Sequence, residues 1–263
     1  MANPMRENRG APAPTLGDVV RTVLAVGAIL PGLAAGVFTA LVTGERRRGF
    51  NRATRLWGRH VTRAAGIRLR VEGVERLRVR PAIFTINHQS GIDPILVCAL
   101  LKEDFVAVAK SEIRKNVVLG PAFAFVGTVF VERDRGRDAE AAMRPAVEAC
   151  EQGLGLALAP EGTRSEGQAV GRFKKGAAHV AVGTGAPLIP IVIHNAGEIL
   201  PQDGFIMRRG EVRIEVLEPI PTEDWTLDSV DPETAALEER YHEALGAGEN
   251  RRSTVQVKAS VAS

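Results

Sequence analysis

Residues 82–94 read Ala-Ile-Phe-Thr-Ile-Asn-His-Gln-Ser-Gly-Ile-Asp-Pro, a stretch that changes from apolar to polar and back within thirteen residues. Its first five residues carry no charge and are mostly β-branched or aromatic, which predicts a buried strand. A polar, glycine-bearing turn follows, and Pro94 opens an apolar run that predicts a helix. A strand that continues through a turn into a helix favours an α/β domain.

The turn places His88 five positions before Asp93. A histidine that removes a proton from an alcohol needs a free acceptor nitrogen, and a carboxylate behind its other ring nitrogen. Asp93 can supply that carboxylate, but it also stands where the N-cap of the following helix is expected, just before Pro94. The spacing alone is compatible with a helix cap and with a catalytic partner. We expect one carboxylate to serve both purposes.

Apolar runs and helical patterns alternate along the rest of the chain. The predicted strands are residues 67–71, 82–86, 105–109, 128–131, 154–159, 188–193 and 212–217, and the predicted helices are residues 94–101, 138–152, 175–182 and 232–245. This order predicts a mostly parallel mixed sheet flanked by helices, with active-site residues on loops at strand ends. We place this domain at residues 67–247, followed by a loose tail at 248–263 and preceded by a loose N-terminus at 1–15.

Composition describes a protein with one sizeable core and an uneven charge. The 263 residues carry a net charge of only +3, yet twelve arginines face two acidic residues between positions 46 and 80. Such asymmetry predicts a face that meets an anionic surface. Nucleic acid is not expected as a partner, because aromatic residues, which stack on bases, make up only 5% of the chain. Cys98 and Cys150 lie in apolar helical patterns and are expected to be reduced core residues of an intracellular protein.

Residues 16–66 are expected to associate with a membrane. Residues 22–44 are free of charge and long enough to reach across a hydrocarbon core of about 30 Å. Pro31-Gly32 falls near the middle, so one kinked crossing and two short helices in one leaflet are both compatible. A buried helix of a soluble protein and a cleaved signal peptide fit less well.

A basic amphipathic helix follows directly. Its arginines recur every three or four residues from Arg48 to Arg63, with Phe50 and Trp57 on another face. We expect it to lie among anionic lipid headgroups with Trp57 at the interface, although a solvated surface helix has the same pattern. The excess of arginine places the domain that follows on the cytoplasmic face of the cell membrane.

A second cluster of polar residues follows the predicted strand at 154–159. The turn Pro160-Glu161-Gly162-Thr163-Arg164 can present backbone N–H groups, a hydroxyl and a guanidinium to one point, which suits a phosphate. Glu161 would repel a phosphate, so its better role is to orient Arg164 or a hydroxyl. An incidental surface turn is the alternative. Two more strand ends add basic side chains, namely Lys110 and Arg133. Together they predict a site that binds an anion and removes a proton near it.

Four ordered blocks carry a resemblance to a known family: NHQSGID at 87–93, GTVFVER at 127–133, PEGTRS at 160–165 and LIPIVI at 188–193. In this order they resemble the glycerolipid acyltransferases with the HxxxxD motif, most closely the 1-acyl-sn-glycerol-3-phosphate acyltransferases. The resemblance implies that His88 is the general base and Asp93 its partner. It implies that Lys110, Arg133, Glu161, Gly162 and Arg164 bind the substrate phosphate, and we add Thr163 from the same turn. Pro190 would lie in the strand associated with the acyl donor, and a two-helix membrane motif would precede the α/β domain.

The expected reaction moves an acyl group from acyl-CoA or acyl carrier protein to the 2-hydroxyl of lysophosphatidate, giving phosphatidic acid in phospholipid biosynthesis. No metal or other cofactor is expected, because a thiolate leaves readily and no bond to phosphorus breaks. Another lysophospholipid or a lyso-amino-acid lipid is an alternative acceptor. A hydrolase with Ser90 or Ser165 as nucleophile is disfavoured, since neither lies in a G-x-S-x-G elbow. A non-catalytic module that binds anionic lipid is the remaining alternative.

Overall fold

The structure is a computed structural model, and it describes residues 13–115, 119–125, 127–131, 139–164 and 170–261. Arg133 and Ser165, which the sequence analysis singles out, lie outside the described residues. The strands are β1 (Ile67–Glu72), β2 (Ala82–Ile86), β3 (Phe105–Lys110), β4 (Val129–Val131), β5 (Gly155–Leu158), β6 (Leu188–Ile193) and β7 (Gly210–Val216). The α-helices of the described residues are α1 (Leu16–Gly27), α2 (Ile29–Thr43), α3 (Arg46–Ala64), α4 (Asp93–Leu101), α5 (Leu119–Phe125), α6 (Ala139–Glu151), α7 (Gly176–Thr184), α8 (Ala196–Ile199) and α9 (Val230–Val261).

All seven predicted strands are confirmed, each within two residues of its predicted bounds. They form one sheet in the order β1-β7-β6-β2-β5-β3-β4. Every neighbouring pair is parallel except β6 and β7, so the sheet is mixed and mostly parallel, as predicted. The carboxyl ends of β6, β2, β5, β3 and β4 therefore meet at one edge, and β2 is the middle strand of the seven.

Two apolar layers cover the sheet. One contains Phe50 and Val61 of α3 and Leu96 of α4, and the other contains residues of α6, α7 and α9. Because helices lie on both faces, β2 and β6 are buried along their whole length, which explains their continuous apolar sequences.

The apolar N-terminal segment is one helical stretch, Leu16–Thr43, interrupted at Ala28. The interruption lies three residues before Pro31, which has no N–H to donate to the carbonyl of Gly27. The stretch is long and apolar enough to cross a membrane by length and composition, with a mean hydropathy of 2.0 over a window that is only 17% buried. The residues that remain exposed include Leu16, Val23, Leu30, Phe38 and Leu41.

Helix α2 packs closely on α3 through small residues. A Cβ built on Gly36 would lie 2.8 Å from the Gly49 carbonyl oxygen, and one on Gly49 would lie 2.5 Å from the Gly36 carbonyl oxygen. The prediction that Trp57 lies at a membrane interface is wrong. Trp57 is buried between the two helices, where Nε1 donates to the Ile29 carbonyl at 2.8 Å and the ring covers Gly32.

Tyr241 of α9 joins β2 to β6 from beneath the sheet. Its hydroxyl accepts a hydrogen bond from the Ile191 N–H at 3.2 Å and donates to the Thr85 carbonyl oxygen at 2.7 Å. The hydroxyl thus bridges the two strands beside Pro190, which pairs with Thr85 in the register but has no N–H of its own. Burial raises the pKa of Tyr241 above its usual value, so the hydroxyl stays protonated and able to donate. This bridge lies three residues before His88.

Helix α9 extends beyond the predicted helix at 232–245 and continues to Val261. The structure therefore differs from the expectation of a loose tail at 248–263. Residues 249–261 contain no proline or glycine that would end a helix, and they include the helix-forming residues Glu249, Arg251, Arg252 and Lys258.

Candidate active site

His88 and Asp93 lie together at the carboxyl end of β2. His88 Nδ1 is 2.6 Å from Asp93 Oδ2. A carboxylate cannot donate, so the ring proton lies on Nδ1 and Nε2 is left as the acceptor. The His88 side chain is 27% exposed, whereas that of Asp93 is 0% exposed. The pair thus has a buried carboxyl group behind a partly exposed imidazole, and the predicted contact between the two side chains is present.

Asp93 does not cap helix α4, and this part of the prediction is wrong. The N-cap position is Ile92, and Asp93 is already in the first turn. Its Oδ2 turns back toward the preceding turn, where it accepts the N–H groups of Gln89 and Ser90, each at 2.9 Å. Two backbone donors and one imidazole therefore share a single carboxylate oxygen, which fixes the turn around the histidine.

Two neighbouring side chains hold this turn to the sheet. The Asn87 amide donates to the Ile193 carbonyl at 2.8 Å and accepts the Ile193 N–H at 2.7 Å, which continues the ladder between β2 and β6. Ser90 Oγ donates to the Leu200 carbonyl at 2.6 Å. Both residues are buried. The position of His88 is therefore set by backbone groups more than 100 residues away.

Glu161 lies directly beside His88, because β5 is paired with β2. Its Oε1 accepts the His88 N–H and its Oε2 accepts the Gly171 N–H, both at 2.8 Å. Burial raises the pKa of Glu161, and the two backbone hydrogen bonds oppose that increase. Each Glu161 oxygen accepts one backbone N–H, so the side chain holds the His88 backbone in place. These two hydrogen bonds orient neither Arg164 nor a hydroxyl, which differs from the prediction.

The predicted phosphate-binding residues that the structure describes lie on the turn after β5 and at the end of β3. Gly162 has a left-handed backbone, with φ of +72°, and turns the chain so that Thr163 and Arg164 are exposed next to the buried Glu161. Arg164 NH1 donates to the Gln202 carbonyl at 3.0 Å. Lys110 ends β3, two strands from β2, which corresponds to about 10 Å along the sheet edge. The position of Arg133 is not described.

Four residues that hold the site were missed by sequence reasoning, namely Asn87, Gly171, Gln202 and Tyr241. Asn87 lies inside the NHQSGID block, so its polar side chain after a buried strand was an available signal. The other three act through hydrogen bonds to other segments of the chain, and the sequence carries no local sign of them.

The comparisons with known proteins match the region of the chain that contains this site. A family model described as Acyltransferase matches residues 68–194, which contain His88, Asp93 and Glu161. A 1-acyl-sn-glycerol-3-phosphate acyltransferase of Limnanthes douglasii is 31% identical over 185 residues, which cover 70% of this chain and 66% of that protein. Residues 68–194 carry an acyltransferase domain. The human 1-acyl-sn-glycerol-3-phosphate acyltransferase alpha is also 31% identical, over 65% of this chain and 61% of its own length.

A solved structure shares the fold of this acyltransferase. The crystal structure of the 1-acyl-sn-glycerophosphate acyltransferase PlsC from Thermotoga maritima superposes with a TM-score of 0.71 at 21% identity. The match covers 88% of this chain and 96% of that one, so it includes N-terminal helices as well as the sheet.

Among the described residues, Ser90, Cys98 and Cys150 are poorly placed to act as nucleophiles in hydrolysis. Ser90 is buried and donates its hydroxyl proton to a carbonyl, so it is not oriented toward His88 as a nucleophile. Cys98 and Cys150 are free, as predicted, and burial raises the pKa of the Cys98 thiol to about 12. Within the described residues, no group of three or more His, Cys, Asp or Glu side chains could hold a metal ion.

Proposed function

We propose that the protein transfers an acyl group from a thioester, acyl-CoA or acyl carrier protein, to the 2-hydroxyl of 1-acylglycerol 3-phosphate. The product is phosphatidic acid. The observation that carries the proposal is the His88 Nδ1 to Asp93 Oδ2 distance of 2.6 Å, with the histidine at the exposed end of β2. The names of the relatives support the acceptor.

The transfer needs one general base and no covalent enzyme intermediate. His88 Nε2 accepts the hydroxyl proton as the oxygen forms a bond to the thioester carbonyl carbon, and Asp93 stabilises the imidazolium. The carbon–sulfur bond then breaks, and the thiolate leaves with the proton that His88 returns. A thiolate is a good leaving group, so no step is routed through a metal or another cofactor. Holding both reactants together lowers the barrier by avoiding a bimolecular encounter.

The acceptor phosphate is proposed to bind beside the catalytic turn. Arg164 and Thr163 are exposed on the turn that follows β5, and Lys110 approaches from the end of β3. Arg133, Glu161 and Gly162 complete the set that the family resemblance implies. Of these, Glu161 acts through the His88 backbone, because both of its oxygens are occupied. Phosphate binding then places the 2-hydroxyl against His88.

The site is proposed to face the cytoplasm at the surface of the cell membrane. Helices α1 and α2 expose apolar side chains that can enter a bilayer, and α3 exposes Arg52, Arg55, Arg59 and Arg63 to anionic headgroups. The acceptor is itself a lipid, so a membrane address brings enzyme and substrate to the same plane. Nucleic acid is not a proposed partner.

Purified protein incubated with labelled acyl-CoA or acyl carrier protein, and with a panel of lyso-lipids, tests the proposal. Ester formation on lysophosphatidate is the expected result, and selective acylation of another lysophospholipid or of a lyso-amino-acid lipid would replace the acceptor. Release of free fatty acid alone would indicate a hydrolase. An unchanged donor would leave a module that only binds anionic lipid.

The His88→Ala variant tests the mechanism. It should lose turnover while retaining association with vesicles, because His88 contacts neither α1 nor α2. Near-normal acylation by this variant would overturn the role of His88. Replacement of Arg164 by alanine should strongly raise the KM for the acceptor, and an unchanged KM would move the phosphate site elsewhere.

A further inference from the structure

The loop of residues 201–209, between α8 and β7, carries the most exposed large apolar side chain in the described part of the chain. Phe205 is 90% exposed, and nothing in the catalytic site explains it. The same loop is otherwise well fixed. The Gly204 N–H donates to the Pro201 carbonyl at 3.0 Å, and the Arg208 N–H donates to the Ile199 carbonyl at 2.7 Å. A single exposed apolar side chain needs no partner, but an aromatic ring on an ordered loop that touches another exposed apolar surface indicates one.

The loop lies against helix α1. The Met207 N–H donates to Thr22 Oγ1 at 2.8 Å, and the Met207 side chain packs against the core on that side of the sheet. Thr22 belongs to the protein-facing side of α1, whereas Val19, Val23 and Val26 are exposed. Phe205 lies two residues before this contact, so the exposed ring belongs to the segment that touches α1, a helix whose outer apolar side chains are also exposed.

The charges around this region suit an anionic lipid surface. Arg209 is exposed at the end of the loop, and its Cβ lies beside Gly66 together with the side chain of Arg21. The Arg21 charge is balanced by Asp18, at 2.7 Å, and Asp203 is exposed in the loop itself. The arginines of α3 add further positive charge on the same layer. Arg208 and Arg209 against Asp203 leave the loop with one net positive charge beside its apolar side chains, as in proteins that bind membranes at the interface.

The loop also contacts the site. Arg164, a proposed phosphate ligand, donates to the Gln202 carbonyl at 3.0 Å, and Ser90 of the catalytic turn donates to the Leu200 carbonyl just before the loop. The loop therefore connects α1, the proposed phosphate-binding turn and the turn that carries His88. A structure that lies on the bilayer through this loop would have its phosphate-binding arginine at the level of lipid headgroups.

We propose that residues 201–209 are a second membrane contact, in which Phe205 enters the interface of an anionic bilayer beside α1 and thereby sets the height of Arg164 above the lipid. The effect on catalysis rests on the proposed lyso-lipid acceptor. The membrane contact does not depend on that acceptor. The contact is separate from α1 and α2, and it affects only substrates that the enzyme takes from a bilayer.

Insertion of residue 205 can be measured directly. Phe205→Trp and, as a matched control, Leu227→Trp each introduce a fluorophore at an exposed apolar position, and Leu227 lies before α9 on the opposite face of the sheet. With vesicles of phosphatidylglycerol that carry brominated acyl chains, the additional emission of Phe205→Trp over wild type should be quenched and that of Leu227→Trp should not. Unquenched emission at position 205 in bound protein would overturn the proposal.

The catalytic consequence needs two forms of the acceptor. Phe205→Ala should lower the partition coefficient for phosphatidylglycerol vesicles about tenfold, as expected for withdrawal of one large apolar side chain from the interface. The apparent KM for lysophosphatidate in those vesicles should rise by a similar factor, while turnover of a water-soluble short-chain lysophosphatidate stays unchanged. An equal loss on both acceptors would place Phe205 in the substrate site and overturn the membrane assignment. If wild type acylates neither acceptor, the proposed function fails, whereas the quenching result still decides the contact.

Discussion

Replacement of Asp93 by asparagine isolates the electrostatic part of the proposed mechanism. Asp93 Oδ2 accepts the Nδ1 proton of His88 at 2.6 Å and the N–H groups of Gln89 and Ser90 at 2.9 Å. Asparagine has the same shape, and its carbonyl oxygen can still accept the two backbone N–H groups, so the turn should persist. What is lost is the negative charge behind the imidazolium.

The size of that loss follows from the geometry. At a contact distance of 2.6 Å between the nitrogen and the oxygen, the centres of the two charged groups are about 4 Å apart. Two unit charges at that separation attract by about 1 kcal/mol in water and about 4 kcal/mol at an effective dielectric constant near 20. Asp93 is fully buried and His88 is 27% exposed, so the higher value applies. Because about 1.4 kcal/mol is a tenfold change in rate, kcat should fall about 1,000-fold.

The assay is steady-state acyl transfer from acyl-CoA to lysophosphatidate in mixed micelles, with kcat and both KM values determined separately. The KM for the acceptor should be nearly unchanged, since Asp93 is not among the phosphate ligands. Asp104→Asn is a matched control, because Asp104 bonds Asn51 at the amino end of β3, far from the site. Thermal unfolding of both variants checks the fold. A kcat for Asp93→Asn within about tenfold of wild type would refute the role of the charge.

Three further predictions concern stability. Because the pKa of Glu161 is raised in the folded protein, its contribution is present below the ordinary value of 4.5 and is lost as pH rises through the raised pKa. Urea titrations give the free energy of unfolding of the wild type and of Glu161→Gln. The wild-type value minus the variant value should fall as pH increases from 4.5. A rise of this difference would contradict a raised pKa for Glu161. Tyr241→Phe should cost about 2 to 3 kcal/mol in the same titration, because a β6 amide and a β2 carbonyl lose their buried partner, and a change below about 0.5 kcal/mol would argue against the bridge. Gly58→Ala should cost about 1 to 3 kcal/mol, since the new Cβ would lie 2.5 Å from the backbone of Ala99. By contrast, a Cβ on Gly246 meets nothing within 4 Å, so Gly246→Ala should stabilise α9 by about 0.5 to 1 kcal/mol, and equal effects at the two glycines would contradict the packing described.

Much of the fold was predictable because its signals are local. The apolar runs that became β2 and β6 are continuous, since both faces of the sheet are covered, and continuous runs are easily recognised. The contact between His88 and Asp93 was predictable for the same reason, since only four residues separate them. The general rule on parallel strands predicted that active-site residues lie at strand ends, but it did not predict that β2 pairs with β5 and so brings Glu161 to His88.

The features that were missed depend on contacts between distant parts of the chain. Trp57 has the composition of an interfacial residue, but the glycines of α2 allow close packing of two helices, and this packing buries the ring. Asp93 has the sequence position of a cap, but its rotamer is decided by competing donors at Gln89 and Ser90. The sequence pattern of one segment cannot predict such contacts, because the partner groups belong to other helices or turns.

The Tyr241 bridge also has a consequence for the order in which the enzyme matures during translation. The ribosome releases β2, the His88 turn and β6 well before α9, so the backbone pairing of the two strands can form before residue 241 exists. What arrives late is the partner at the register position of Pro190, where the Thr85 carbonyl and the Ile191 N–H lack the hydroxyl until α9 docks. A nascent chain that stalls before residue 241 would therefore carry the whole motif on a sheet that lacks this one bridge.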